Sequence, residues 1–99
     1  MEFEQTVDYV IIGGGSAGCV LAARLSEDPQ TSVVLLEAGG EDNHPLIHVP
    51  AGYVKTMVNP AVNWMFEAEP EAGTASRALT MPRGKVLGGS SAINAMLYV

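Results

Sequence analysis

The chain has 99 residues, room for one domain at most, and its 47% hydrophobic and 16% charged content is that of a globular α/β protein, not a disordered tail. A net charge of −6 disfavours nucleic acid or an anionic membrane surface as principal partner. The single cysteine, Cys19, excludes an internal disulfide, the acidic N-terminus lacks the features of a secretory leader, and no apolar run approaches the ~20 residues that span a bilayer. A soluble, cytoplasmic protein in a reducing compartment is the expectation.

Tyr9, Val10, Ile11 and Ile12 form a short buried-strand run, after which Gly13, Gly15 and Gly18 fall at the G-x-G-x-x-G spacing. Gly13 permits a tight turn out of the strand, Gly15 lets the backbone approach a pyrophosphate, and Gly18 lets the next helix pack close to the sheet. Phosphates then sit on the free N–H groups at the helix N-terminus, where the dipole places roughly half a positive charge. Such a triplet also occurs in plain tight turns, so its context decides the matter.

Ala17, Val20, Leu21 and Leu25 share one face at helical spacing while Arg24 points away, which predicts a helix ended by Ser26, Glu27, Asp28 and Pro29. Cys19 within it reads as a small core residue. Ser32 to Leu36 predicts a second strand, closed by Glu37. Residues 8–37 thus form a βαβ unit. Glu37 follows Gly18 at close to the ~20-residue interval at which an acid takes the ribose hydroxyls of an adenine nucleotide. A carboxylate there repels a 2′-phosphate, which argues against an NADP-type ligand; an ordinary solvated acid at a strand end is the other reading.

Ala38, Gly39 and Gly40 turn the backbone away, and residues 38–82 form an excursion that holds five of the six prolines, Pro45, Pro50, Pro60, Pro70 and Pro82. A short helix after Pro50 is compatible with the patchy apolar residues 46–58. Asn63 to Glu69 alternates Trp64, Phe66 and Ala68 with Met65, Glu67 and Glu69, the pattern of a half-buried strand. Trp64 reads as core, or as a flank for a planar cofactor. His44 and His48 are four apart, but Pro45 lies between them and no third ligand is near, so no metal site is expected. Residues 72–78 read as a loop.

Arg83 to Val99 supplies a second glycine bend. Gly88 and Gly89 turn the chain, Ser90 or Ser91 can cap a helix, and Ala92 to Leu97 are predicted to continue it, with Arg83 and Lys85 as cations just before.

With these residues in view, Gly13-Gly14-Gly15-Ser16-Ala17-Gly18, Glu37-Ala38-Gly39-Gly40 and Arg83-Gly84-Lys85-Val86-Leu87-Gly88-Gly89-Ser90-Ser91-Ala92-Ile93-Asn94 with Tyr98, the chain resembles the N-terminal part of the glucose-methanol-choline (GMC) oxidoreductases, from Asp8 to Val99, most of all the bacterial choline and alcohol dehydrogenases. The second motif is the more specific of the two. The resemblance implies an α/β, Rossmann-like FAD/NAD(P)-binding fold, incomplete in this chain, and an FAD site. Adenosine and pyrophosphate would lie at the first glycine turn, Gly13, Gly15, Ser16, Ala17 and Gly18, with Glu37 on the ribose, and the flavin end near Val86 and Asn94, Ala95, Met96 and Leu97. Ala38, Arg83, Gly88, Gly89 and Ser90 would complete the cofactor site.

Family members move a hydride from an alcohol carbon to flavin N5 after a histidine takes the hydroxyl proton. That histidine lies far beyond Val99, and neither His44 nor His48 matches it, so this chain is expected to carry no catalytic residue. Some relatives attach FAD through a histidine just before the asparagine of the second motif. Ile93 stands there instead, which implies non-covalent FAD. The partners implied are the remainder of the same polypeptide, with its substrate domain and catalytic part, and a small alcohol. Because the chain stops within an apolar run with no helix-stop signal, it is expected to be a fragment. Two rivals stand beside this reading: a hydroxynitrile-lyase-type FAD protein on the same scaffold, and a stand-alone nucleotide-binding module.

Overall fold

Strand β1 (Tyr9–Ile12) lies parallel to β2 (Val33–Leu36), paired from Tyr9 with Val33 through to Ile12 with Leu36, and helix α1 (Ser16–Leu25) makes the crossover between them. This computed structural model describes residues 4–98. Parallel strands need such a crossover because their ends lie a full strand length apart. The entry to the unit is clasped by Asp8 and Ser32. The Ser32 amide and hydroxyl donate to Asp8 Oδ2 at 2.8 and 3.0 Å, and the Asp8 amide donates back to Ser32 Oγ at 2.9 Å.

The sheet covers only one side of α1. Val20 and Leu21, expected on an inward apolar face, are exposed, and no residue of α1 is fully buried. Ile12 is 86% exposed, although parallel sheets are normally covered on both faces. Cys19 is half-buried, and its thiol donates to the Gly14 carbonyl at 3.2 Å.

In the excursion, a 3-10 turn at Pro50–Gly52 leads into the short helix α2 (Tyr53–Thr56), with Pro50 at the helix start, where its missing N–H is not needed. The strand expected over residues 63–69 is reduced to β3 (Phe66–Glu67), antiparallel to β4 (Thr80–Met81), a partner with no signal of its own in the sequence. Met65 breaks the longer run by taking φ +56°, and Asn63 forms a separate bridge with Gly84. Residues 72–78 lie within the connection between β3 and β4 and begin with a 3-10 turn at Ala72–Thr74.

The second glycine motif departs most from expectation. No helix covers Ala92 to Leu97; a single 3-10 turn, Gly89–Ala92, follows Gly88, and the backbone is irregular beyond it. The reason is local. The Asn94 side-chain oxygen accepts from the Met96 amide at 3.0 Å, an Asx turn that competes with helical bonding, and Met96 takes φ +56°. Nor does a serine cap the turn: its N-cap is Gly88, without a side-chain bond.

Val86 and Gly40 form a parallel bridge, so the returning chain lies against the end of β2. Around it sits the main core cluster, Val62, Val86 and Ile93, flanked by Ile47 and Ala92. The radius of gyration is 16.9 Å, against about 13 Å for a compact domain of ~100 residues. Among the described residues, much apolar surface of the βαβ unit is therefore left uncovered.

Candidate dinucleotide-binding site

The first bend is built so that α1 begins almost on top of β1. A Cβ added to Gly18 would lie 1.8 Å from the Gly13 carbonyl oxygen, an approach that only glycine allows. Gly15 caps α1 without a side-chain bond, and the first intrahelical amide bond runs from Cys19 to the Gly15 carbonyl at 2.9 Å. The amides of Ser16, Ala17 and Gly18 thus precede the helical ladder, and no acidic side chain sits in that first turn.

The second bend docks directly on the first. The Gly88 amide donates to the Gly14 carbonyl at 2.7 Å, and the hydroxyls of Ser16 and Ser91 share a hydrogen bond. Gly89 has φ +63°, and a Cβ on it would come 2.8 Å from the Gly15 Cα. Both the left-handed backbone and the closeness of the two chains require glycine there. Ser90, expected as a possible cap, instead accepts from the Gly84 amide at 3.0 Å.

Glu37 reaches back to the first bend. Its Oε2 accepts from the Gly14 amide at 2.7 Å and its Oε1 from the Gly39 amide at 2.8 Å. Each carboxylate oxygen has two lone pairs, so acceptor capacity remains on both. A groove of about 340 Å³ is lined by Gly13, Gly15, Glu37 and Ala38 together with Trp64, Arg83, Gly89 and Ser90. A Cβ at position 15 would meet the Gly89 Cα at 3.9 Å, an ordinary contact.

A second hollow, also about 340 Å³, lies across the Gly88 bend and is lined by Gly88, Ser91, Asn94 and Met96 together with His48 and Tyr53 of the excursion. The remaining sequence candidates are dispersed. Ala95 faces a smaller apolar hollow with Met57 and Ile93, Val86 is 1% exposed in the core, and Leu97 is 86% exposed. His44 and His48 do not converge: His44 Nδ1 accepts from the Leu46 amide at 3.2 Å, and His48 Nε2 bonds to the Asp42 carbonyl. Among the described residues, no group of three or more histidine, cysteine or acidic side chains is placed to hold a metal ion. Among the described residues, no helix is long and apolar enough to cross a membrane.

Sequence reasoning did not assign Gly14 or Ser91 to the site. Gly14 and Ser91 join the two bends through backbone and hydroxyl bonds that leave no periodic trace. Trp64, read from the sequence as core or as a flank for a planar cofactor, is 42% exposed and lines the groove, so it is not a core residue.

A strand, glycine bend, helix and second strand ending in a carboxylate, with another glycine bend closing the groove opposite, define a dinucleotide-binding α/β fold. A model of the family described as GMC oxidoreductase matches residues 7–99, and the chain belongs to that family. It is 54% identical over 92 residues to an alcohol dehydrogenase [acceptor] of Pseudomonas putida, covering 93% of this chain and 17% of the relative. With the oxygen-dependent choline dehydrogenase of Photobacterium profundum it shares 53% identity over 94 residues, 95% of this chain and 16% of the relative. The crystal structure of pyridoxine 4-oxidase from Mesorbium loti superposes with a TM-score of 0.89 at 48% identity, over 95% of this chain and 18% of that one. The chain thus spans about a sixth of the length of the relatives it matches.

Proposed function

We propose that these residues are the FAD-binding beginning of a longer flavoenzyme that oxidises an alcohol, choline-like or primary, to an aldehyde. The observation that carries this reading is the bond from the Gly88 amide to the Gly14 carbonyl, which brings two glycine bends to one groove. A dinucleotide with a central pyrophosphate and two unlike ends suits that groove together with the hollow beyond Gly88.

In this reading the amides of Ser16, Ala17 and Gly18 and the Arg83 guanidinium hold the pyrophosphate beside Gly13 and Gly15, and the free lone pairs of Glu37, next to Ala38, accept from the ribose hydroxyls. Gly88, Gly89 and Ser90 pass the cofactor on to Asn94, Ala95, Met96 and Leu97, with Val86 contributing backbone only. FAD, when bound, supplies the hydride acceptor. The chain's own residues bind and orient, and the base that takes the hydroxyl proton belongs to the remainder of the polypeptide. Ile93, 3% exposed in the core cluster, offers no nucleophile for attachment, which supports non-covalent FAD.

The full-length protein should be yellow, bleach anaerobically when given a primary alcohol, and release its flavin on acid precipitation. A colourless protein indifferent to FAD would end this reading. Aldehyde and cyanide released from a cyanohydrin without bleaching would select the lyase. Cooperative folding of the 99 residues alone, with micromolar affinity for ADP, would select the stand-alone module.

A further inference from the structure

Asn63 is 1% exposed, yet its side-chain amide joins three stretches of the chain. Nδ2 donates to the carbonyl of Met57, the residue after α2, at 2.7 Å, and Oδ1 accepts from the amides of Met65 at 2.9 Å and Arg83 at 3.1 Å. Turning the amide over would set its NH2 against two N–H groups and its oxygen against a carbonyl, so the partners fix its orientation. The surrounding backbone is paired as well: the Trp64 amide donates to the Arg83 carbonyl at 2.9 Å and the Lys85 amide to the Val62 carbonyl at 2.8 Å. Both backbone polar groups of Arg83 are thus taken by residues 63 and 64. Gly84, next in sequence, backs onto the second bend. Its amide donates to Ser90 Oγ at 3.0 Å, and the Gly89 carbonyl leaves no room for a Cβ on it.

The Arg83 side chain lines the groove, and its Nη1 donates to the Pro82 carbonyl at 2.7 Å, which uses one of the several N–H donors a guanidinium carries. We propose that Asn63 is a positioning residue for the cofactor's pyrophosphate and acts through Arg83. Asn63 does not itself line the groove. It holds, from within the fold, the backbone from which the Arg83 side chain extends, and so sets where that guanidinium can reach. A long side chain on a fixed backbone has less freedom to lose on binding than one on a loose segment, so the hold on Arg83 favours the anion that it meets. This inference rests on the FAD reading above and on the place of Arg83 in it.

A double-mutant cycle in the full-length protein stripped of flavin tests this, read by titration with ADP and with FAD. Asn63→Ala should weaken ADP by about tenfold, the scale on which a charge-assisted hydrogen bond contributes. In an Arg83→Ala background the same change should cost less than about twofold, because residues that act as one unit are not additive. Loss by the same factor in both backgrounds would mean that Asn63 only supports the fold, and would overturn the proposal. ADP affinity left unchanged by Arg83→Ala would overturn it too, since Asn63 would then have nothing to position; that variant alters an exposed side chain and is measurable whatever becomes of Asn63→Ala. Should Asn63→Ala not fold, Asn63→Ser, whose hydroxyl can still serve one of the three partners, goes through the same cycle with the same two outcomes. In each of these cases an unaltered protein that binds FAD leaves the FAD reading standing. If the unaltered protein binds neither FAD nor ADP, that reading falls, and this inference with it.

Discussion

The amide of Gly88 donates to the carbonyl of Gly14 across 2.7 Å, joining two bends more than seventy residues apart in the chain through backbone alone. Because neither partner is a side chain, the junction depends on nothing standing between the two chains.

That dependence makes Gly89 the sensitive position. An alanine there would be strained at φ +63° and would push its Cβ to 2.8 Å from the Gly15 Cα, so the bends must part. Gly89→Ala in the full-length protein should raise the FAD dissociation constant by at least about tenfold, which corresponds to ~1.4 kcal/mol. Gly40→Ala is the control. A Cβ at Gly40 meets nothing within 4 Å, and flavin titration should give the native affinity.

Glu37 has a structural duty beside its proposed contact with ribose. Glu37→Ala would leave the Gly14 and Gly39 amides without their carboxylate acceptor, at a cost of about 1–3 kcal/mol for polar groups that remain out of water. Glu37→Gln keeps one acceptor oxygen and should fall between. Denaturant unfolding of the full-length protein measures the order of the three, and ADP titration should rank them the same way while FMN affinity stays level.

The Asp8–Ser32 clasp is pH-dependent. The bond from the Ser32 amide, and then that from its hydroxyl, hold the Asp8 carboxyl below the usual carboxylate range. A pKa lowered in the folded state contributes stability that is present above the unfolded value, near about 4, and is lost as pH falls through the folded value. Asp8→Asn should therefore flatten the acid limb of unfolding midpoint against pH below about 4, and leave the slope near neutrality unchanged.

The βαβ unit was legible because each of its signals is local: a β-branched run, a glycine spacing, a helical period and a closing acid. The second bend was legible as a glycine turn, whereas the irregular backbone of residues 93–98 was not. Ala92 to Leu97 are adequate helix formers, but the side-chain bond of Asn94 to the Met96 amide competes with helical bonding there. Alternation around Trp64 put Trp64 and Phe66 on one face of a strand, and the two rings do stack, although Met65 between them breaks the strand at φ +56°. It could not show that this side faces a groove instead of a core, since period-two patterning reports which residues share a face and not what covers it. The pairing of Ser16 with Ser91 lay beyond sequence reading, because it depends on the whole excursion returning Val86 to the end of β2.

If the two glycine bends grip one dinucleotide along its length, titration of the flavin-free, full-length protein must show it. The predicted result is one FAD bound per chain, with ADP and FMN each binding more weakly than FAD and ADP competing with it. Failure to bind FAD, or FMN binding as tightly as FAD with ADP unable to compete, would contradict it.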